Sequence, residues 1–366
     1  MGSRGDSAGV YTSQATYRVA MACRLKLACR IMRSSSTSLA FPDFAPRFPW
    51  WGPDLQTLRN VVRGAVRKPR LEEEPARLLL PMRDGSGDQL VGQYLAAQQR
   101  PSGRNEAPLV VLVHGLGGSS DSAYIQTTSA HLLELGYPVL QLNLRGAGES
   151  RPLCREQYHA GRSRDLNDAL GGLPPDSVRN GIVVVGYSLG ANMVLKYAAE
   201  HGADHGGLRA AISISAPIDL EASSLRFLDA RNRFYHTHLL DSMKKEMLST
   251  PGGIGADEQT TLNGIRTILE FDEHVVAPRN GFTDATDYYN QNHARQFLGE
   301  IQVPTLLMHA LDDPWIPATM YTDYAWSKTP QPEALLPRGG GHVGFHAQGE
   351  RLPWHDRCLG IFLDRV

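Results

Sequence analysis

The run Gly181-Ile182-Val183-Val184-Val185-Gly186-Tyr187-Ser188-Leu189-Gly190 decides how this chain is read. A short β-branched apolar stretch passes straight into Gly-x-Ser-x-Gly. Ala191-Asn192-Met193-Val194-Leu195-Lys196-Tyr197-Ala198-Ala199-Glu200 then reads as a helix. A serine at so tight a strand-to-helix turn takes strained backbone angles and needs small neighbours two residues either side, which Gly186 and Gly190 supply. The turn pushes the Ser188 hydroxyl beyond the strand tip, and the new helix aims its N-terminal amides and positive dipole end at the same spot. Ser188 is the candidate nucleophile. The competing reading, a serine in an ordinary glycine-rich turn, is disfavoured by the strand before it and the helix after it.

Outward from this run the chain alternates. Leu109 to Val113 is a continuous apolar strand, as expected where both sheet faces are covered. Ser122 to Leu135 reads as a helix ended by Gly136, Val139 to Leu144 as a strand, and Arg164 to Leu170 as a helix. Ala210 to Ser215, Val303 to His309 and Glu333 to Leu336 supply further strands, and Leu352 to Leu363 closes with a helix. Upstream, Leu78 to Pro81 and Gln89 to Leu95 look like paired strands around Asp84-Gly85-Ser86-Gly87. The pattern predicts an α/β fold with a mainly parallel central sheet and helices on both faces. Ligands in such sheets bind at the carboxyl ends of the strands. Between about 219 and 302 no parallel strand is evident, so that stretch is expected to be an inserted helical cap over the pocket. The aromatic and proline-rich tract from Phe41 to Asn60 is expected to be an extended arm without a regular helix.

With 366 residues the chain can bury a large core, and 42% apolar against 20% charged residues places it among globular proteins. A formal net charge of −1 gives no electrostatic case for nucleic acid as a partner. Cys23, Cys29, Cys154 and Cys358 lack metal-ligand spacing, and a reducing compartment, the cytoplasm, fits them better than a disulfide framework. No apolar run approaches the roughly 18–20 residues of a transmembrane segment. Residues 1–40 are rich in Ser, Ala and Arg, and Arg24, Lys26 and Arg30 interrupt their most apolar part, so no secretory signal is expected. A disordered tail or an over-extended start, with Met21 or Met32 as the initiator, is preferred to a basic targeting sequence.

A serine nucleophile needs a base, an acid group that orients the base, and donors for the oxyanion. The strand ending at His309 delivers Ala310-Leu311-Asp312-Asp313-Pro314-Trp315-Ile316-Pro317, so Asp312 and Asp313 are both available as the orienting acid. Gly339-Gly340-Gly341-His342 is a flexible loop ending in the candidate base; His346 and His355 do not directly follow the glycines and compete less well. The Leu189 amide, next after the nucleophile, is one expected oxyanion donor. The second should lie in His114-Gly115-Leu116-Gly117-Gly118, at Leu116 by position, while His114 itself reads as structural. His236 and His238 have no third ligand at suitable spacing, so neither a metal nor a cofactor is expected.

These motifs together resemble the α/β-hydrolase superfamily and, within it, the YheT-type hydrolases. The resemblance rests on Val113 to Gly118, Leu142-Asn143-Leu144-Arg145-Gly146, Tyr158-His159-Ala160-Gly161 with Asp165-Leu166, and Gly186 to Asn192. It continues through Phe271-Asp272-Glu273, Ala277 to Phe282, Asp287-Tyr288-Tyr289, Asp312-Asp313-Pro314 and Gly341 to Phe345, covering roughly Phe41 to the C-terminus. It implies an α/β-hydrolase domain over 41–366 and a serine hydrolase with Ser188, Asp313 and His342 as its triad. Asp313 is preferred to Asp312 because members usually place the acid four residues before a proline, here Pro317. It implies an acyl ester, small or lipid, as substrate, with a thioesterase or acyltransferase on the same residues, or a non-catalytic ligand receptor, as alternatives. The chain departs from the family where Asp54 replaces a common histidine before Leu55-Gln56-Thr57, and where Ala147-Gly148-Glu149-Ser150-Arg151 follows the arginine-glycine motif. Phe227, Leu228, Phe234, Leu239 and Leu240 are apolar candidates for the pocket wall or for packing the cap on the body.

Overall fold

The computed structural model describes residues 40–64, 74–97, 107–202, 207–326 and 332–366. The expectation for residues 1–40 falls, but for its last residue, outside them. Eight strands form one sheet in the order β1-β2-β4-β3-β5-β6-β7-β8. They are β1 (Ala76–Pro81), β2 (Gln89–Leu95), β3 (Leu109–Val113), β4 (Val139–Asn143), β5 (Ile182–Tyr187), β6 (Leu208–Ile214), β7 (Thr305–Met308) and β8 (Glu333–Leu335). β2 pairs antiparallel with β1 and β4, and every pairing from β4 to β8 is parallel. The continuous apolar runs follow from this. Every residue of β3, β4, β5 and β7 is buried because helices cover both sides.

The helices that frame the sheet are α1 (Pro53–Gly64), α2 (Ala123–Glu134), α3 (Ser163–Gly171), α4 (Leu189–His201) and, at the end of the chain, Trp354–Leu363. α4 packs on β5 and β6, and its residues from Gly190 to Ala198 are all buried. Between β6 and β7 the described chain contains helices and no strand: α5 (Leu220–Phe227), α6 (Arg233–Leu248), α7 (Ala256–Gly264) and α8 (Ala285–Asn292). This inserted cap has an apolar core of its own, in which Leu239, Met243 and Met247 of α6 meet Leu262, Ile268 and Phe271. No helix among the described residues is long and apolar enough to cross a membrane.

The arm differs from expectation. Residues 42–52 are irregular, but Pro53 opens α1, a twelve-residue helix. Proline at the first helical position gives up only an N–H that would lack an intrahelical partner, and its fixed φ already suits the helix. The proline-rich tract therefore initiates a helix instead of excluding one.

Arg145, just after β4, ties the antiparallel corner to the parallel body. Its guanidinium is wholly buried and meets Asp165 of α3 through two 2.8 Å bonds, Asp84 at 2.7 Å, Asp88 at 3.1 Å and Glu156 at 3.3 Å. Asp84 also accepts from Ser86 N at 3.0 Å, which closes the turn between β1 and β2. Among the described residues, replacing the cation leaves buried Asp88 with only the Arg155 and Glu156 amides, and buried Asp165 with only Arg162 at 3.4 Å. Arg145→Met should lower the unfolding free energy by about 3–5 kcal/mol, read as a shifted urea midpoint at constant slope. A loss below about 1 kcal/mol, the range of exposed ion pairs, would show that the network is not what joins these parts.

Candidate active site

The chain reverses at Ser188 with φ 51° and ψ −122°, a left-handed conformation for a residue bearing a side chain. The reversal is possible because its neighbours are bare. A Cβ on Gly186 would lie 2.4 Å from Gly190 O, and one on Gly190 would lie 2.3 Å from His114 O. Ser188 N donates to Ile214 O at 2.9 Å, and Ser188 O accepts from Ala191 N at 2.9 Å as α4 begins. The hydroxyl is left at the strand tip, in a cavity of about 580 Å³ that lies between sheet and cap.

Three separated segments meet there. Ser188 Oγ lies 2.9 Å from His342 Nε2, and His342 Nδ1 lies 2.8 Å from Asp313 Oδ2. The second oxygen of Asp313 accepts from Trp315 N at 2.9 Å and Ile316 N at 3.1 Å. Burial alone would push Asp313 up. The facing His342 ring, its hydrogen bond and the Trp315 amide outweigh that and hold the carboxyl below its usual range. Asp312, the alternative acid, instead accepts from Gly341 N at 2.9 Å, so the two adjacent carboxylates grip the backbone and the ring of one loop.

That loop is also held from the arm. His342 N donates to Thr57 Oγ1 at 2.8 Å, and His346 N donates to Gln56 Oε1 at 2.7 Å, both acceptors on α1. The Trp315 ring lies 4.2 Å from the His342 ring. Sequence reasoning did not assign Gln56, Thr57 and Trp315 to this work. Leu55-Gln56-Thr57 was noticed only as a family tract, and Asp54, where the family commonly has histidine, bonds Tyr235 of α6 at 3.1 Å and Arg231 at 2.9 Å.

The other histidines weighed as base, pocket or metal residues stand outside this row. His346 meets Arg59 of α1, and the buried His355 lies 3.5 Å from Asp356 with no hydrogen bond to its ring among the described residues. His114 accepts from Leu144 N at 3.1 Å, which leaves Nδ1, 2.8 Å from Gly115 O, as the protonated nitrogen; burial lowers the ring to about 4 and keeps it neutral. His159 lines the cavity while its Nδ1 accepts from Gly161 N. His236 accepts from Ile268 N at 3.1 Å, and no cluster of three metal-ligand side chains occurs among the described residues.

The two amides singled out for an oxyanion stand apart from their neighbours. Gly115 N donates to Tyr124 Oη at 3.1 Å, and Gly117 N donates to Tyr158 Oη at 2.7 Å. No described residue accepts from Leu116 N between them, or from Leu189 N at the first position of α4. The loop lies against the serine, since a Cβ on Gly115 would come within 2.8 Å of Ser188 Cβ. Tyr158 in turn reaches Glu246 of α6 at 3.3 Å, and burial raises Glu246 to about 7. Of the apolar candidates, Phe227, Phe234 and Leu239 line the cavity, whereas Leu228 and Leu240 do not.

Comparisons agree with this architecture. A family model described as alpha/beta hydrolase fold matches residues 108–260. The "Putative esterase YheT" of Escherichia coli (strain K12) is 33% identical over 255 residues, spanning 69% of this chain and 74% of that protein. A "Monoacylglycerol lipase" of Saccharomyces cerevisiae is 26% identical over 326 residues, 85% of this chain and 72% of that protein. Among solved structures, an esterase from Pyrococcus furiosus superposes with a TM-score of 0.52 at 16% identity, covering 82% of this chain and 97% of its own.

Beneath the serine, Tyr187 Oη lies 2.6 Å from Thr128 Oγ1, which donates to Asp356 Oδ1 at 2.6 Å. Burial raises Asp356 from 3.8 to about 7. The unfolded chain releases this proton at the lower value and the folded protein keeps it to the higher one. The associated stability is therefore present at acid pH and lost as pH rises through the interval. Asp356→Asn does not titrate, so between about pH 5 and about pH 7 it should lose less unfolding free energy than the parent protein. Parallel stability curves in denaturant titrations would remove Asp356 as their source.

Proposed function

Because the chain belongs to the α/β-hydrolase family, in its YheT-type branch, we propose that it is a serine carboxylic ester hydrolase working through an acyl-serine intermediate. The observation that carries this reading is the unbroken row from Asp313 through His342 to Ser188 Oγ, with two unengaged amides at its serine end. His342 Nε2 takes the hydroxyl proton as Ser188 attacks the ester carbonyl. The Leu116 and Leu189 amides receive the oxyanion, in a site where donors fixed in advance need no reorganisation. Asp313 keeps the Nδ1–H tautomer and balances the imidazolium. Protonated His342 then releases the alcohol, and water, activated by the same ring, cleaves the acyl-serine. Every step is carried by side chains and amides of this chain.

The substrate reading follows from the cavity. Its wall is mostly apolar and includes Phe227, Leu239, Met243, Phe271 and Val275 of the cap. An acyl chain is the natural occupant, and the yeast relative is named for a lipid ester. Short-to-medium acyl chains suit a cavity of about 580 Å³ between body and cap.

A fluorophosphonate should label the folded protein at Ser188, and Ser188→Ala should lose both the label and the turnover of nitrophenyl esters. Asp313→Asn, which favours the wrong tautomer of His342, should lower kcat by about 10⁴. In a panel of acyl lengths the rate should peak at short-to-medium chains. An adduct elsewhere, or an active Ser188→Ala protein, would overturn the assignment; rapid thioester turnover with silent esters would redirect it to a thioesterase.

A further inference from the structure

The cavity contains a carboxyl that the hydrolytic steps do not use. Asp272 is 8% exposed and lines the space beside Phe271, Val275 and Tyr289. It opens a π-turn, Asp272–Val276, in which the Ala277 amide donates to the Asp272 carbonyl. Such single turns within helices occur frequently at functional sites. Oδ2 accepts from Tyr289 Oη at 2.7 Å, and Tyr289 Oη lies 3.0 Å from Ser224 Oγ. Oδ1 receives no hydrogen bond from any described residue. Burial pushes the group up to about 7 even with Tyr289 in place.

A carboxyl satisfied on one side only, in apolar surroundings, is costly, and a donor at the open oxygen removes the cost. The neighbouring groups do not supply one. Arg279, the guanidinium lining the cavity, is bound to Glu258 at 2.6 Å and 3.0 Å. Of the other carboxyls lining the cavity, Glu156 is held by Arg145 and Arg162, and Glu246 is joined through Tyr158 to the Gly117 amide of the loop after β3. Leu189, next after the serine, packs against the buried cluster that contains Tyr289, and Asp272 and Ser188 line the same cavity.

We propose that Asp272 is a specificity-determining residue that reads a free hydroxyl on the substrate, so that the preferred ester carries such a hydroxyl and is not hydrocarbon throughout. The inference rests on the hydrolytic reading of Ser188. A hydroxyl donates to the open oxygen whether the carboxyl is ionised or carries its proton on Oδ2. The hydroxyl belongs either to the alcohol portion of the ester or to the acyl chain, and the chemistry at Asp272 is the same for both.

The test is binding to the Ser188→Ala protein, where turnover cannot interfere, measured by calorimetry with two matched pairs. One pair is ethylene glycol monooctanoate against its methyl ether; the other is ethyl ω-hydroxyoctanoate against ethyl octanoate. In at least one pair the hydroxyl member should bind about ten- to a hundredfold more tightly, and the pair that discriminates locates the hydroxyl. Adding Asp272→Leu should bring that ratio close to one, and Asp272→Asn, which keeps an uncharged acceptor and the side-chain shape, should leave an intermediate ratio. Equal binding within both pairs would overturn the proposal whatever the variants do, as would a preference that survives Asp272→Leu. A protein that prefers the hydroxyl members but hydrolyses no ester would refute the hydrolytic reading alone. One that hydrolyses nitrophenyl esters without any preference would refute only this one.

Discussion

A side chain can be held beyond the tip of a parallel strand only if the backbone turns back beneath it, and at Ser188 that turn occurs at φ 51°. The strained residue persists because its surroundings leave no alternative. β5 is buried along its whole length, α4 is buried from its second residue, and the gap between them admits only hydrogen at Gly186 and Gly190. The same tightness brings the loop after β3 against the serine, where Gly115 passes without a side chain. Strand, helix and loop thus share one steric constraint, and the positions of the Ser188 hydroxyl and of the Leu116 and Leu189 amides follow from it together.

Much of this was legible because burial on both faces leaves a plain mark in sequence. Leu109–Val113 and the start of Ile182–Tyr187 are continuous apolar runs, and these strands and Val139–Asn143 begin within a residue of where the sequence predicts them. The long interval without strands between β6 and β7 marked the helical cap equally well. The arm was misread for a local reason: proline density argues against a helix interior but says nothing against a helix start, and Pro53 stands at the start.

The grip on the histidine loop was not legible at all. Thr57 meets His342 across 285 residues and Gln56 meets His346 across 290, and no local pattern records contacts at such separations. The neighbouring aspartates show the same limit. Their types and positions suit either of them to orient a histidine, and the preference for Asp313 came from family spacing to Pro317. Their separate tasks, Asp312 on the Gly341 amide and Asp313 on the ring, depend on how the loop after β8 folds back over the end of β7.

The loop carrying Leu116 shows how far cap and body act as one. Its flanking amides end on two phenols, Tyr124 of α2 and Tyr158 of the loop before α3. Tyr158 is itself bonded to Glu246, which belongs to the cap helix α6. A peptide plane pinned on both sides has little freedom to rotate, so the direction of the Leu116 N–H is fixed jointly by a body helix and a cap carboxylate. For an oxyanion donor that direction matters more than proximity, because the gain comes from a dipole aimed in advance at charge that has yet to develop. The cap therefore does more than cover an apolar cavity: through one tyrosine it helps orient the amide proposed to receive the oxyanion.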